Sequence, residues 1–177
     1  MIEYEKKRML TPEDYFALCE LFRGLPFSET LQTNYYYDTP DGHMRYNDIT
    51  VRIRKNGGTT VGTVKKHNKN GISTETVFFE GSDIIPEYLI YDGLTLEKLG
   101  SLMTCRRTYV LYERFGIMLD KNHYLGKTDL ELELEYPPDA EKQADGILLC
   151  LQALVGNSFE GSLSKSERFA RERDEIL

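Results

Sequence analysis

Apolar and polar residues alternate along most of this chain with a period of two, the pattern of strands that bury one face. The clearest run is Leu130-Glu131-Leu132-Glu133-Leu134-Glu135, with three leucines on one side and three glutamates on the other. In 49–55, Ile49, Val51 and Ile53 oppose Arg52 and Arg54. Near the start of the sequence Glu3, Glu5 and Lys7 share a face, while Ile2 and Tyr4 point the other way. Read this way, the sequence predicts strands over 2–9, 32–38, 49–55, 59–66, 73–80, 104–113, 117–121 and 128–136. Eight such strands suit a closed antiparallel barrel. Hairpin turns are expected at Asn56-Gly57-Gly58, Asn68-Lys69-Asn70-Gly71 and Phe115-Gly116.

Helical spacing fills the gaps. Thr11 offers an N-cap, Pro12 suits the first helical position, and Glu13 and Asp14 complement the helix dipole, so 12–23 should be helical. Tyr15, Phe16, Leu18, Cys19 and Phe22 form its apolar stripe. Asp83 is expected to open a short helix near 84–91, with a further turn over 95–101. After Pro137-Pro138, Asp139 caps a helix over 140–155 whose inner face carries Ala144, Ile147, Leu148, Leu151 and Leu154, and Gly156 stops it. The charged stretch 164–175 is expected to be helical as well. The class is therefore α+β, an eight-stranded antiparallel β-barrel with helices packed outside, forming a single domain over 1–177.

Composition narrows the function classes. At 177 residues there is room for one well-cored domain, and a net charge of −7 argues against general nucleic-acid or membrane-surface binding. Cys19, Cys105 and Cys150 lie far apart and form no C-x-x-C pair, which reads as reduced thiols rather than a disulfide framework or a thiolate zinc site. There is no apolar run of membrane-spanning length and no signal-peptide pattern, so the expected location is the cytoplasm. His43, His67 and His123 have no metal-site spacing, Tyr35-Tyr36-Tyr37 reads as packing, and no G-x-x-x-x-G-K loop is present.

The charged faces carry the chemistry. Surface strands usually mix Thr, Ser and Lys, whereas these are sorted by sign: Glu3 with Glu5, Arg52 with Arg54, and Glu131 with Glu133 and Glu135. If the leucines face outward under the helices, the charges line a lumen. Unpaired buried charge costs several kcal/mol per ion, so such a lumen needs counter-charges. A polyanion with divalent cations satisfies both signs: carboxylates take the cation, and arginine and lysine take phosphate oxygens.

These residues resemble a known family. Glu3-x-Glu5-x-Lys7, Tyr36-Tyr37-Asp38-Thr39-x-Asp41, Val51-Arg52-Ile53-Arg54 and Thr63-x-Lys65 fall in the order found in the CYTH superfamily, the triphosphate tunnel metalloenzymes. So do Leu119-Asp120, Tyr124-Leu125-Gly126, Glu131-x-Glu133-x-Glu135 and Ser164-Lys165, and the resemblance covers nearly the whole chain. It implies a barrel open as a tunnel and divalent-metal-dependent hydrolysis of a triphosphate, foremost inorganic tripolyphosphate, with Mg²⁺ or Mn²⁺. The alternatives it carries are an adenylate cyclase making cyclic AMP and a non-catalytic polyphosphate- or nucleotide-binding module. The implied partner is a triphosphate-containing small molecule, with the chain a monomer or homodimer.

By the same resemblance Glu3, Glu5, Glu131, Glu133 and Glu135 hold metal, and Asp120 supports metal or arginine. Lys7, Arg52, Arg54, Lys65, Lys165 and one arginine of the Arg106-Arg107 pair bind phosphate, with Lys7, Glu5 and Lys165 at the catalytic centre. A two-residue Phe115-Gly116 loop selects Arg107; a three-residue loop selects Arg106. On the strand over 73–80 the family often carries a basic residue two positions before a glutamate, and here Ser73 precedes Glu75.

Overall fold

The computed structural model describes residues 2–67, 72–81 and 84–176. In chain order its strands are β1 (Ile2–Leu10), β2 (Ser28–Asp38), β3 (Ile49–Asn56), β4 (Thr59–His67), β5 (Ile72–Glu80), β6 (Tyr88–Tyr91), β7 (Leu94–Leu111), β8 (Phe115–Tyr124), β9 (Lys127–Glu135) and β10 (Glu160–Gly161). The helices are α1 (Pro12–Leu21), α2 (His43–Tyr46), α3 (Glu141–Val155) and α4 (Lys165–Ile176). Eight strands run β1-β5-β4-β3-β2-β7-β8-β9, and β9 pairs back onto β1 to close an antiparallel barrel. Closure leaves the helices outside and removes most of the exposed sheet edge.

The alternation decides which face looks in. Leu132 and Leu134 on β9 and Ile117 and Leu119 on β8 pack outward against Leu18 of α1 and Ala144, Leu148 and Leu151 of α3. On the other side Val51, Ile53 and Val64 join Tyr37, Met44 and Leu96 beneath the β6–β7 hairpin. Polar residues between these leucines, isoleucines and valines must therefore point into the barrel. Thr11 and Asp14 form a reciprocal capping box that starts α1. Phe16 and Leu154, expected on buried stripes, are exposed; Phe16 stands two positions from the buried Leu18, on the far side of its helix.

Several expectations are corrected. The segment 84–91 is not helical: Tyr88–Tyr91 is an edge strand paired with β7. Asp83 and the turn over 68–71 lie outside the described residues. Residues 95–101 belong to β7, which is strand from Leu94 onward. Leu99 is an extra residue there, because Tyr36 faces Gly100 and Tyr37 faces Lys98. This bulge changes the alternation between Leu96, in the outer cluster, and Leu102, which packs on Phe169 inside. It depends on Gly100, whose φ is +144° and whose absent Cβ would lie 2.9 Å from the Phe169 ring. Finally, the β7–β8 turn is not Phe115-Gly116. Leu111 pairs with Phe115, so the loop is Tyr112-Glu113-Arg114. Tyr112 and Glu113 both adopt positive φ without being glycine, so the turn carries no composition signal.

Candidate functional site

Six of the eight barrel strands line the lumen, Tyr36 entering from β2. Glu3, Glu5 and Lys7 come from β1, Arg52 and Arg54 from β3, Lys65 from β4, Arg106 from β7, and Glu133 and Glu135 from β9. Asp120 on β8 and Glu131 on β9 lie behind them, both fully buried. Register explains the grouping: Glu5 faces Glu135 and Lys7 faces Glu133 across the β1–β9 seam that closes the barrel. Lys65 faces Glu75, and Arg106 faces Asp120.

Most of these charges meet opposite charges. The Lys65 ammonium donates to Glu3 at 2.7 Å and to Glu5 at 2.9 Å. Lys7 lies 3.1 Å from Glu5 and 3.2 Å from Glu133. Arg52 donates to Glu75 at 2.8 Å and to Thr63 at 3.1 Å. Arg106 makes a two-pronged contact with Asp120, at 2.7 and 2.6 Å, and reaches Glu133 at 2.5 Å. Burial alone would raise the Glu133 carboxyl, but Lys165, Lys7 and Arg106 outweigh it and hold the group well below its ordinary value. Burial likewise works against the Lys7 charge, and Glu133 and Glu5 more than restore it.

The C-terminal helix closes one mouth. Ser164 caps α4, and the next residue sends its ammonium into the barrel. There Lys165 lies 2.8 Å from Asp120, 2.7 Å from Glu131 and 2.6 Å from Glu133. Those three acids present oxygens within 4.8 Å of one another, near enough to hold a metal ion. The position a cation would take there is already served by Lys165. One turn on, Arg168 donates to Asp129 at 2.9 Å and Glu131 at 2.8 Å, and Phe169 packs on Tyr36 and Tyr124.

Two groups on facing walls remain out of balance. Arg54 donates to the Asn34 side-chain oxygen at 2.9 Å and has no carboxylate partner among the described residues. Burial and the neighbouring Arg52 and Arg106 push its pKa down to about 10. Four strands round the ring, burial and then Glu133 raise the Glu135 carboxyl above its ordinary value, with Glu5 and Glu3 adding to the effect. One wall thus has uncompensated positive charge and the other uncompensated negative charge.

Arg107 must be corrected. The three-residue β7–β8 loop turns it outward, where it donates to Glu29 at 2.8 Å and stacks over Phe27. Arg106 takes the lumen position. The remaining predicted site residues, Glu3, Glu5, Lys7, Arg52, Arg54, Lys65, Asp120, Glu131, Glu133, Glu135 and Lys165, gather in or directly behind the lumen. Arg168 carries no strand-alternation signal, although its i,i+3 spacing from Lys165 puts both on one helix face. Asn34 likewise has no motif to mark it, nor has the hydroxyl chain from His67 through Thr50 to Ser166, whose separations are 3.0 and 2.9 Å.

A closed antiparallel barrel with acids and bases sorted across its bore defines a charged-tunnel protein. The chain belongs to the CYTH domain family, whose model matches residues 1–169. It is 31% identical to "Putative triphosphatase YjbK" of Bacillus subtilis (strain 168), an alignment covering 76% of this chain and 77% of that protein. Among solved structures it is similar to a Bacillus halodurans protein described as a putative adenylate cyclase, with a TM-score of 0.76, 24% identity, and coverage of 94% and 96% of the two chains. The Hippeastrum protein HpAC1, described as a putative adenylyl cyclase with a dominant triphosphatase activity, matches with a TM-score of 0.73 at 21% identity over 96% and 95%. A mimivirus capping-enzyme triphosphatase shares the fold at 0.61 and 11% identity, over 87% and 90%.

Proposed function

We propose that this single domain hydrolyses a triphosphate, with inorganic tripolyphosphate as the simplest substrate, in a divalent-metal-dependent reaction inside the barrel. The observation that carries the reading is Arg54: a part-buried guanidinium crowded by two others, with no carboxylate partner among the described residues, calls for an anion in the bore. The facing wall supports the metal. Glu135 is strained by neighbouring carboxylates, and hard cations take carboxylate oxygens. The lumen already contains counter-charges for most of its own groups, so a polyanion entering alone would leave it too negative; a polyanion with Mg²⁺ or Mn²⁺ would not.

In this reading Glu3, Glu5, Glu133 and Glu135 hold the metal, while Asp120 and Glu131 hold Lys165 and the arginines in place. The bound ion would lower the charge on the phosphates and help activate the attacking water. Arg52, Arg54, Lys65 and Arg106 grip the non-bridging oxygens and offset charge developing on the leaving diphosphate. Lys7 and Lys165, each fixed by two or more carboxylates, keep the chain of phosphates in line for attack. Arg54→Gln tests the assignment: tripolyphosphate turnover should fall by about 10²–10³ with the melting temperature unchanged or raised. Full turnover in that variant would remove the central support.

A further inference from the structure

Arg52, Arg54 and Arg106 line the lumen, and each is anchored to the wall through its Nε. The anchors differ. Arg106 sets its Nε on Asp120 at 2.7 Å. Arg52 sets its Nε on the Thr63 hydroxyl at 3.1 Å and an outer nitrogen on Glu75 at 2.8 Å. Both arginines therefore have a carboxylate. Arg54 donates through Nε to the Asn34 side-chain oxygen at 2.9 Å, and neither of its outer nitrogens has a hydrogen-bond partner among the described residues. Asn34 stands directly across from it in the β2–β3 register.

Asn34 is only half satisfied in that place. It is fully buried, and its amide nitrogen has no hydrogen-bond partner among the described residues. Turning the amide over would set its NH₂ group against the guanidinium N–H, donor against donor, so Arg54 fixes the orientation. A buried amide left in this state is destabilising. An aspartate of the same shape would anchor the Nε and also bring the counter-charge that Asp120 brings to Arg106; a leucine would do neither. Only an uncharged acceptor holds the guanidinium and leaves its charge unspent. The rest of the strand agrees. β2 lies between β3 and β7, the strands that carry Arg52, Arg54 and Arg106. Gln32, Asn34 and Tyr36 follow one another at a period of two on its inner face, and none carries a charge. Gln32 is also buried, with its amide nitrogen unpartnered among the described residues.

We infer that Asn34 is a positioning residue for anion binding: it aims the Arg54 fork into the bore without neutralising it. The inference rests on the triphosphate reading of the bore. The probe is the imido analogue of tripolyphosphate, whose P–N–P bridges resist hydrolysis, titrated calorimetrically with Mg²⁺. It is added to the wild type, Asn34→Asp, Asn34→Leu, Arg54→Gln and the two double variants, with melting curves to verify folding. Asn34→Asp should weaken binding about tenfold or more without lowering the melting temperature, because it gives Arg54 a partner in the free protein. Asn34→Leu adds no charge and keeps the test open should the aspartate variant not fold; it should weaken binding about three- to tenfold. In the Arg54→Gln background both substitutions should lose their effect to within about twofold. A merely structural role would lower binding and melting temperature together, with Arg54 present or absent. Wild-type affinity in both Asn34 variants, or an equal loss without Arg54, would overturn the inference and leave the triphosphate reading standing. No binding by the wild type would overturn that reading and the inference with it.

Discussion

Replacing Lys165 by methionine removes one positive charge from the point where Asp120, Glu131 and Glu133 converge. Removing one partner of a buried ion pair costs about 3–5 kcal/mol, because the remaining charge is stranded away from water. Three carboxylates lose a partner here, but Arg106 still serves Asp120 and Glu133, and Arg168 still serves Glu131. The expected loss therefore stays within that range. For a chain of this size it lowers the melting temperature by about 6–20 °C. The loss should also depend on pH in a fixed direction. In the wild type Glu131 and Glu133 are pushed up by burial and pulled down further by Lys165, ending below the ordinary value of 4.5. Their contribution is thus present above 4.5 and disappears as pH falls through the lower folded values. In Lys165→Met that contribution is reduced, so the deficit should be largest near neutral pH and shrink in acid. Thermal melts of both proteins between about pH 2 and pH 7 check this. A drop of less than about 2 °C, or a deficit that does not change with pH, would refute the account of the cluster.

Arg106→Ala should cut triphosphate turnover by about 10²-fold or more, whereas Arg107→Ala, outside the barrel with Glu29, should leave it within about twofold. The pair of rates measures which side of β7 faces the bore. Gly100→Ala should cost roughly 1–3 kcal/mol, since it combines a left-handed backbone position with a clash against Phe169, and urea melts would read it. Glu135→Gln should raise stability at pH 7. Its folded pKa is raised, so the penalty of the charged form is absent below 4.5 and grows as pH rises. An unchanged melting temperature would show that Glu135 is not crowded by the other carboxylates.

The barrel was legible because its strands alternate cleanly: the leucines of β9 and the branched residues of β3 leave no choice of face. The same alternation sorts the charges of β1, β3 and β9 onto one face each, whereas the roles of these residues and the place of Lys165 rest on the family resemblance. Register was not legible. Whether Arg106 or Arg107 enters the bore depends on one loop residue, and the loop's left-handed positions are filled by Tyr112 and Glu113 rather than by glycine. The bulge at Leu99 hid the first ten residues of β7 in the same way, by breaking the period of two where the strand continues. Arg168 escaped notice because a charged helix normally faces water, and only its contact with Glu131 shows that this one turns a basic edge inward.

The most direct test of the central claim is phosphate release from tripolyphosphate by the purified protein, with Mg²⁺, with Mn²⁺ and with a chelator, beside Glu5→Gln. The account predicts release that needs the metal and that Glu5→Gln abolishes without changing the fold. No release with either metal, or equal release from the variant, would contradict it.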